Sequence, residues 1–176
     1  LKINQKNLYI IYLSIIPIFS LVNSTIQAIF AYDGFHWGLV LFSAEGMLKN
    51  LTPYKDLFIH YGFLTTKINS IVLDIFKNNF IYIFIISSFA YAFSLFIMGL
   101  FFLRFTNIYF SIIGLIVIFS LHPFAIFPWH TYYIFFLVNI FLMFRFSKNI
   151  YLNYFSYFIL SLTILFSESF WLASIL

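Results

Sequence analysis

The chain of 176 residues has no cysteine and very few charged side chains. Only 8% of its residues are Asp, Glu, Lys or Arg, whereas 64% are hydrophobic and the mean hydropathy is +1.03. The absence of cysteine excludes a disulfide framework, a zinc–thiolate site and a thiol nucleophile. The scarcity of charge excludes a water-soluble globular domain, because such domains carry about 25% charged residues. We therefore expect lipid to be the main solvent of this protein.

The sequence also lacks the motifs of several enzyme classes, since it has no glycine-rich phosphate loop, no nucleophile elbow and no HExxH metal motif. Its formal net charge is +4, from nine basic and five acidic residues. The basic residues are scattered between long apolar runs, as in membrane proteins, where they set the orientation of the chain. We therefore expect a membrane-lipid partner and no nucleic-acid partner.

Apolar runs near the length of about 20 residues that crosses a bilayer recur along the chain. The first is too long for the apolar core of a signal peptide. The predicted spans are 8–30, 80–103, 107–127, 130–145 and 150–170. This pattern predicts an all-α polytopic transmembrane helix bundle that forms a single domain over residues 1–176. Because the chain starts at Leu1 and ends at Leu176 inside an apolar run, we expect a fragment of a longer protein.

Residues 31–79 interrupt the apolar runs with a mixed-charge segment. It holds four of the five acidic residues and four of the nine basic ones, so its net charge is zero with histidine neutral. A structureless loop of this length would be unusual. We predict amphipathic juxtamembrane helices over 34–49 and 63–76, lying at the membrane surface and separated by a turn at Asn50–Pro53.

Asp33 and His36 are the first candidates for chemistry. They lie about one helical turn apart if the segment after Asp33 is helical, and so can face the same point. A carboxylate at the boundary between hydrocarbon and water can act as a general base. The alternative is that Asp33 only caps the helix. His36 and His60 are residue types that bind metals, but their spacing matches no metal motif and we assign no metal ligand.

Two further groups of residues are candidates with open alternatives. Lys55 and Asp56 are adjacent on a polar turn, where they form either a solvated ion pair or, through Lys55, a phosphate contact. Glu168 is an ionisable residue in an apolar run, which by default is a hypothesis of a functional site. The alternative for Glu168 is that the span simply ends there and leaves the carboxylate in water.

The polar segment resembles the first extracytoplasmic loop of the GT-C superfamily of membrane glycosyltransferases. The matching stretches are Tyr32–Asp33, the turn from Asn50 to Asp56, and Tyr61–Gly62. Trp129–Tyr132 and Phe166–Ser169 also look like bacterial members of that group. Within the superfamily, the likeness is to the aminoarabinose transferases and the protein mannosyltransferases.

The resemblance implies transfer of a sugar from a polyprenyl-phosphate donor to a glycan, lipid or protein acceptor outside the cytoplasm. It gives Asp33 the role of catalytic base. The substrate-binding candidates are His36, Lys55, Asp56, His60, Tyr61, His130 and Glu168. It also implies a bacterial inner-membrane location, with the amino terminus cytoplasmic and residues 31–79 outside. The cofactor stays open, with a divalent metal ion as one option.

Two other functions fit the same composition: a transporter or flippase, and a non-catalytic assembly subunit. A transporter should gather its polar residues near the midplane of the bilayer. A lipid-sugar transferase should gather them at one face of the membrane. An assembly subunit is favoured if Asp33 and His36 point away from any cavity.

Overall fold

The computed structural model describes residues 5–30, 34–59, 61–121 and 130–167. Within these ranges, the side chains of residues 5, 6, 28, 34–37 and 130 are not described. The described part of the chain is all-helical, with no strand. Its helices, in chain order, are α1 (Gln5–Phe30), α2 (Gly34–Leu48), α3 (Phe63–Ile75), α4 (Ile81–Phe105), α5 (Ile108–Leu121), α6 (His130–Arg145) and α7 (Ile150–Phe166).

The helices begin and end close to the bounds of the apolar runs. The predicted spans 8–30, 80–103 and 130–145 correspond to α1, α4 and α6. The spans 107–127 and 150–170 correspond to α5 and α7, and their last parts, 122–127 and 168–170, lie outside the described residues. The helix class of the prediction is therefore confirmed over the described ranges.

Within those ranges, two helices are long and apolar enough to cross a membrane by length and composition. They are residues Asn7–Gln27 of α1, with 21 residues, and α4, with 25 residues. Helices α5, α6 and α7 are also apolar but have only 14, 16 and 17 residues. At 1.5 Å per residue, these three helices measure about 21 to 26 Å.

Helix α4 is the central helix, because α1, α3, α5 and α6 all pack against it. Three leucines form the fully buried part of this core, namely Leu13 of α1, Leu95 of α4 and Leu115 of α5. Beside them the rings of Tyr91 and Tyr132 stack with their centroids 4.7 Å apart. The core therefore joins helices that are distant in sequence through one shared helix.

Side-chain hydrogen bonds join α4 to α6 inside these apolar surroundings. The Asn139 amide nitrogen donates to the Ser94 hydroxyl at 2.6 Å and to the Ser94 carbonyl at 3.1 Å. Nearer the start of α4, the hydroxyls of Ser87 and Tyr133 lie 3.3 Å apart. Buried hydrogen bonds of this kind contribute to the packing of α4 against α6.

The turn predicted after α2 is present, and it ends the helix in a recognisable way. Asn50 adopts φ 60°, its N–H donates to the Met47 carbonyl, and the Leu51 N–H donates to the Gly46 carbonyl. This pair of bonds is the Schellman motif, which satisfies the last carbonyls of a helix. Helix α3 ends in the same way at Lys77, whose φ is 54°.

The α2–α3 layer (residues 34–59 and 61–75) departs from the predicted amphipathic pattern in its first helix. In α2 the apolar Phe42 is 65% exposed, whereas the polar Ser43 next to it is buried. The prediction of an amphipathic α2 is therefore wrong. The reason is that α2 packs against α3 and has apolar residues around most of its circumference, with Glu45 as its one charged residue.

Helix α3 is amphipathic, but its first two turns have polar residues on the buried side. Its buried polar residues are Thr65, Thr66, Asn69 and Ser70. Its exposed side combines apolar and charged residues, among them Ile71 and Lys67. The α2–α3 layer therefore encloses polar groups against the helix bundle.

Candidate functional site

The α2–α3 layer meets the end of α7 through a glycine. Gly62 has φ 87°, and a Cβ atom at this position would lie 2.5 Å from the Phe166 carbonyl oxygen. Only glycine fits such a conformation and such a close approach. One turn later the Thr65 hydroxyl donates to the same Phe166 oxygen at 3.3 Å. The start of α3 is therefore fixed directly on the last turn of α7.

The same end of the bundle includes the starts of α4 and α6. The ring centroids of Tyr133 and Phe166 lie 5.5 Å apart. Leu64 and Ile68 of α3 and Ile86 of α4 pack on the cluster that these two rings form with Ile134. Three helix ends, those of α4, α6 and α7, therefore converge beneath α3, and this convergence defines the candidate site.

The loop between α2 and α3 positions Lys55 and Asp56, two of the predicted substrate-binding residues. Both are exposed. An oxygen of the Asp56 carboxylate accepts the Thr52 N–H at 3.1 Å, and the Asp56 N–H donates to the Thr52 carbonyl at 2.9 Å. The carboxylate of Asp56 therefore closes the turn, while the ammonium group of Lys55 faces solvent.

Tyr61, a third predicted residue, occupies a different environment. Its side chain is 8% exposed, and it comes just before Gly62. The rest of the loop is held on α2, because the Ser43 hydroxyl donates to the Phe58 carbonyl at 3.2 Å. Leu57 is buried beside it against α2. Tyr61 is thus an inner residue of the loop, whereas Lys55 and Asp56 lie on its surface.

The other five predicted site residues are only partly covered by the structure. Asp33, His60 and Glu168 lie outside the described residues. His36 and His130 belong to α2 and α6, but their side chains lie outside the described part. In the parts of the chain that are described, no group of three or more His, Asp or Glu side chains could hold a metal ion.

Asn69 was missed by the sequence analysis. Its side chain is 1% exposed, and neither its amide nitrogen nor its amide oxygen has a hydrogen-bond partner in the described part of the chain. Buried amide groups without a partner are rare in native proteins. The signal that could have found Asn69 is the spacing of Thr65, Thr66, Asn69 and Ser70, which places four polar residues on one helical face.

No protein-family model, curated protein or solved structure matches this chain. The function of this chain must therefore be inferred from its own residues and their geometry.

Proposed function

We propose that the chain is a polytopic membrane protein in which α1, α4, α5, α6 and α7 cross the bilayer. The charged residues support this, because none occurs within 81–103, 108–121, 131–144 or 150–166. The exposed surfaces support it as well. On the short helix α5, Phe110 is 64% exposed and Ile113 is 56% exposed. A helix that is apolar on all sides needs lipid or protein around it.

Within this membrane protein, we propose the activity of a glycosyltransferase that uses a polyprenyl-phosphate sugar. The observation that carries the proposal is the α2–α3 layer, in which α3 buries four polar side chains and packs against α4 and α7. The stretches that resemble the GT-C loop belong to this layer or lie next to it in sequence. A reaction between a membrane-bound donor and an acceptor in water needs such a layer at one face of the bilayer.

The distribution of charged residues supports the transferase over the transporter. Residues 31–79 carry eight of the fourteen charged side chains. The long helices bury polar side chains as well, among them Ser87, Ser94 and Asn139, but these groups are neutral. A transporter should instead have ionisable groups near the middle of the bundle.

In this reaction Asp33 is the general base that removes the proton from the acceptor hydroxyl. The hydroxyl oxygen attacks the anomeric carbon of the donor sugar, and the bond from that carbon to the lipid-phosphate oxygen breaks. The lipid phosphate departs with the electron pair and a negative charge. Lys55 provides a positive charge in the loop that can stabilise this leaving group.

The test is Asp33→Asn in the full-length protein, reconstituted with polyprenyl-phosphate sugars in lipid vesicles. We expect transfer to fall at least about 100-fold, because a positioned general base contributes about 10²–10⁴-fold. Asp74→Asn is the matched control, since Asp74 is an exposed acid on α3 with no proposed role. Asp33→Asn activity equal to that of the control would remove Asp33 from the mechanism. A wild-type protein that transfers no sugar from any polyprenyl-phosphate donor would overturn the transferase proposal.

A further inference from the structure

The end of the bundle opposite the α2–α3 layer carries two arginines that lie close together. Arg104 ends α4 and Arg145 ends α6. The Arg104 guanidinium approaches the carbonyl oxygen of Met143, two residues before Arg145, at 3.5 Å. Lys148 follows in the turn between α6 and α7 and is exposed. Three positive charges therefore belong to one corner of the protein, which we call the arginine corner.

Both arginines contact only neutral groups in the described structure. Arg104 lies near a backbone carbonyl, and Arg145 donates to the amide oxygen of Asn153 at 3.0 Å. Their guanidinium groups also lie over aromatic rings, with Arg104 5.8 Å from the centroid of Phe105 and Arg145 5.6 Å from that of Tyr157. Neutral contacts orient a guanidinium group but leave its charge uncompensated.

The sequence explains why no carboxylate pairs with either arginine in the described part of the chain. The chain has no acidic residue between Asp74 and Glu168, and none before Asp33. The acids of the α2–α3 layer lie at the other end of α4, a helix of 25 residues that is about 37 Å long. This separation far exceeds the screening length of about 8 Å at physiological salt. The charge of the arginine corner must therefore be balanced from outside the described chain.

Exposed aromatic residues lie next to these charges. The Phe105 ring is 58% exposed and the Phe146 ring is 50% exposed, and their centroids are 5.7 Å apart in an edge-to-face pair. An apolar surface directly beside cationic groups is complementary to a molecule with an anionic head and apolar tails. A free anion would use the charges but would have no use for the aromatic surface.

We propose that the arginine corner binds the phosphodiester headgroup of an anionic phospholipid in the leaflet that faces this end of the bundle. The planar guanidinium groups of Arg104 and Arg145 bind phosphate oxygens, for which their donor geometry is suited. Phe105 and Phe146 contact the first part of the acyl chains. This inference rests on the membrane bundle of the proposed function, and not on sugar transfer.

The experiment measures how many phosphatidylglycerol and phosphatidylcholine molecules the full chain retains after purification in neutral detergent, by native mass spectrometry. Wild-type protein should retain phosphatidylglycerol in preference to phosphatidylcholine. Arg104→Gln with Arg145→Gln should reduce this preference about 25-fold, since each basic group near a lipid phosphate contributes about fivefold. Lys49→Gln with Lys67→Gln is the matched control, because it removes two exposed positive charges from the α2–α3 layer.

Two outcomes overturn the proposal: an unchanged lipid preference in the arginine variant, or an equal loss in the lysine control. Inorganic phosphate that displaces the lipid at millimolar concentration would show a free-anion site and would also overturn it. If the arginine variant does not fold, the lipid preference of the wild-type protein is measured in 0.5 M NaCl instead. A lipid preference that depends on charge should weaken at this salt concentration, because salt screens exposed charges. A lipid preference that does not change in salt contradicts the proposal. These lipid measurements do not depend on sugar transfer, so a negative transferase assay would not change their outcome.

Discussion

The two ends of the helix bundle differ in the sign of their charges and in the side chains on their surfaces. At the end covered by the α2–α3 layer, positive and negative charges are equal in number over residues 31–79, and polar side chains are buried beneath the surface. At the opposite end, the last turns of α4 and α6 and the turn after α6 carry only positive charges, beside exposed aromatic rings. A mixed-charge enclosed layer suits a polar substrate, whereas a cationic surface suits anionic lipid. This difference is the reason that we propose separate partners for the two ends.

A second contrast, between two asparagines, refines this comparison. Asn69 and Asn139 are equally buried, each 1% exposed. The amide nitrogen of Asn139 holds α6 against α4, whereas the amide of Asn69 has no partner in the described part of the chain. Burial alone therefore does not make a polar residue structural. Its hydrogen bonds decide how much it contributes to stability.

The largest effect should come from breaking the contact between the α2–α3 layer and α7. Gly62→Ala places a Cβ atom 2.5 Å from the Phe166 oxygen at a residue with φ 87°. We expect the free energy of unfolding to fall by about 3 kcal/mol or more, because both the backbone conformation and the packing are lost. The measurement is thermal unfolding of the purified protein in detergent.

Gly38→Ala is the control for that substitution. Gly38 lies in α2, and a Cβ atom there would meet nothing within 4 Å. Alanine should stabilise the helix by up to about 1 kcal/mol, because glycine is the poorer helix former. Equal melting temperatures for the two variants would show that the close approach of Gly62 to α7 does not hold the layer in place.

The contrast between the two asparagines predicts different changes in stability for the same substitution. Asn139→Leu should lower stability by about 1 kcal/mol, the typical value of a hydrogen bond between membrane helices. Asn69→Leu should be neutral or stabilising, because it replaces an amide that makes no hydrogen bond with an apolar side chain of similar size. The measurement is the shift in melting temperature of each variant. A loss in Asn69→Leu as large as in Asn139→Leu would reveal a partner for Asn69 within the fold.

Much of the fold could be predicted from the sequence, because the helices follow the apolar runs. The runs are long, have charged residues only near their ends, and are separated by charged or polar turns, so their length and their composition both predict helices. The bounds of α4 and α6 differ from the prediction by two residues or fewer. The error concerned the amphipathic character of α2. Which side of a short helix is buried depends on tertiary neighbours, and the loop after α2 covers Ser43 through Phe58.

The site was harder to predict, because its construction depends on contacts between distant parts of the chain. The Tyr61–Gly62 pair was a candidate only because it resembles part of the GT-C loop. The physical need for glycine comes from Phe166, which lies more than 100 residues away. The sequence marks Asn69 only as one of four polar residues on a helical face, and the burial of its amide without a partner is visible only in the structure. Such features appear only when the helices are packed together.

Asp56→Asn should have the smallest effect on stability. It also separates the structural role of this side chain from a role in binding substrate. The amide oxygen of asparagine can still accept the Thr52 N–H that the carboxylate accepts at 3.1 Å. The melting temperature should therefore change by less than about 2 °C. If the charge of Asp56 binds substrate, transfer should fall about tenfold, the value of one hydrogen bond to a charged group. Sugar-transfer assays and thermal unfolding of the same preparation measure the two effects. Full activity would leave Asp56 as a residue that only closes the turn.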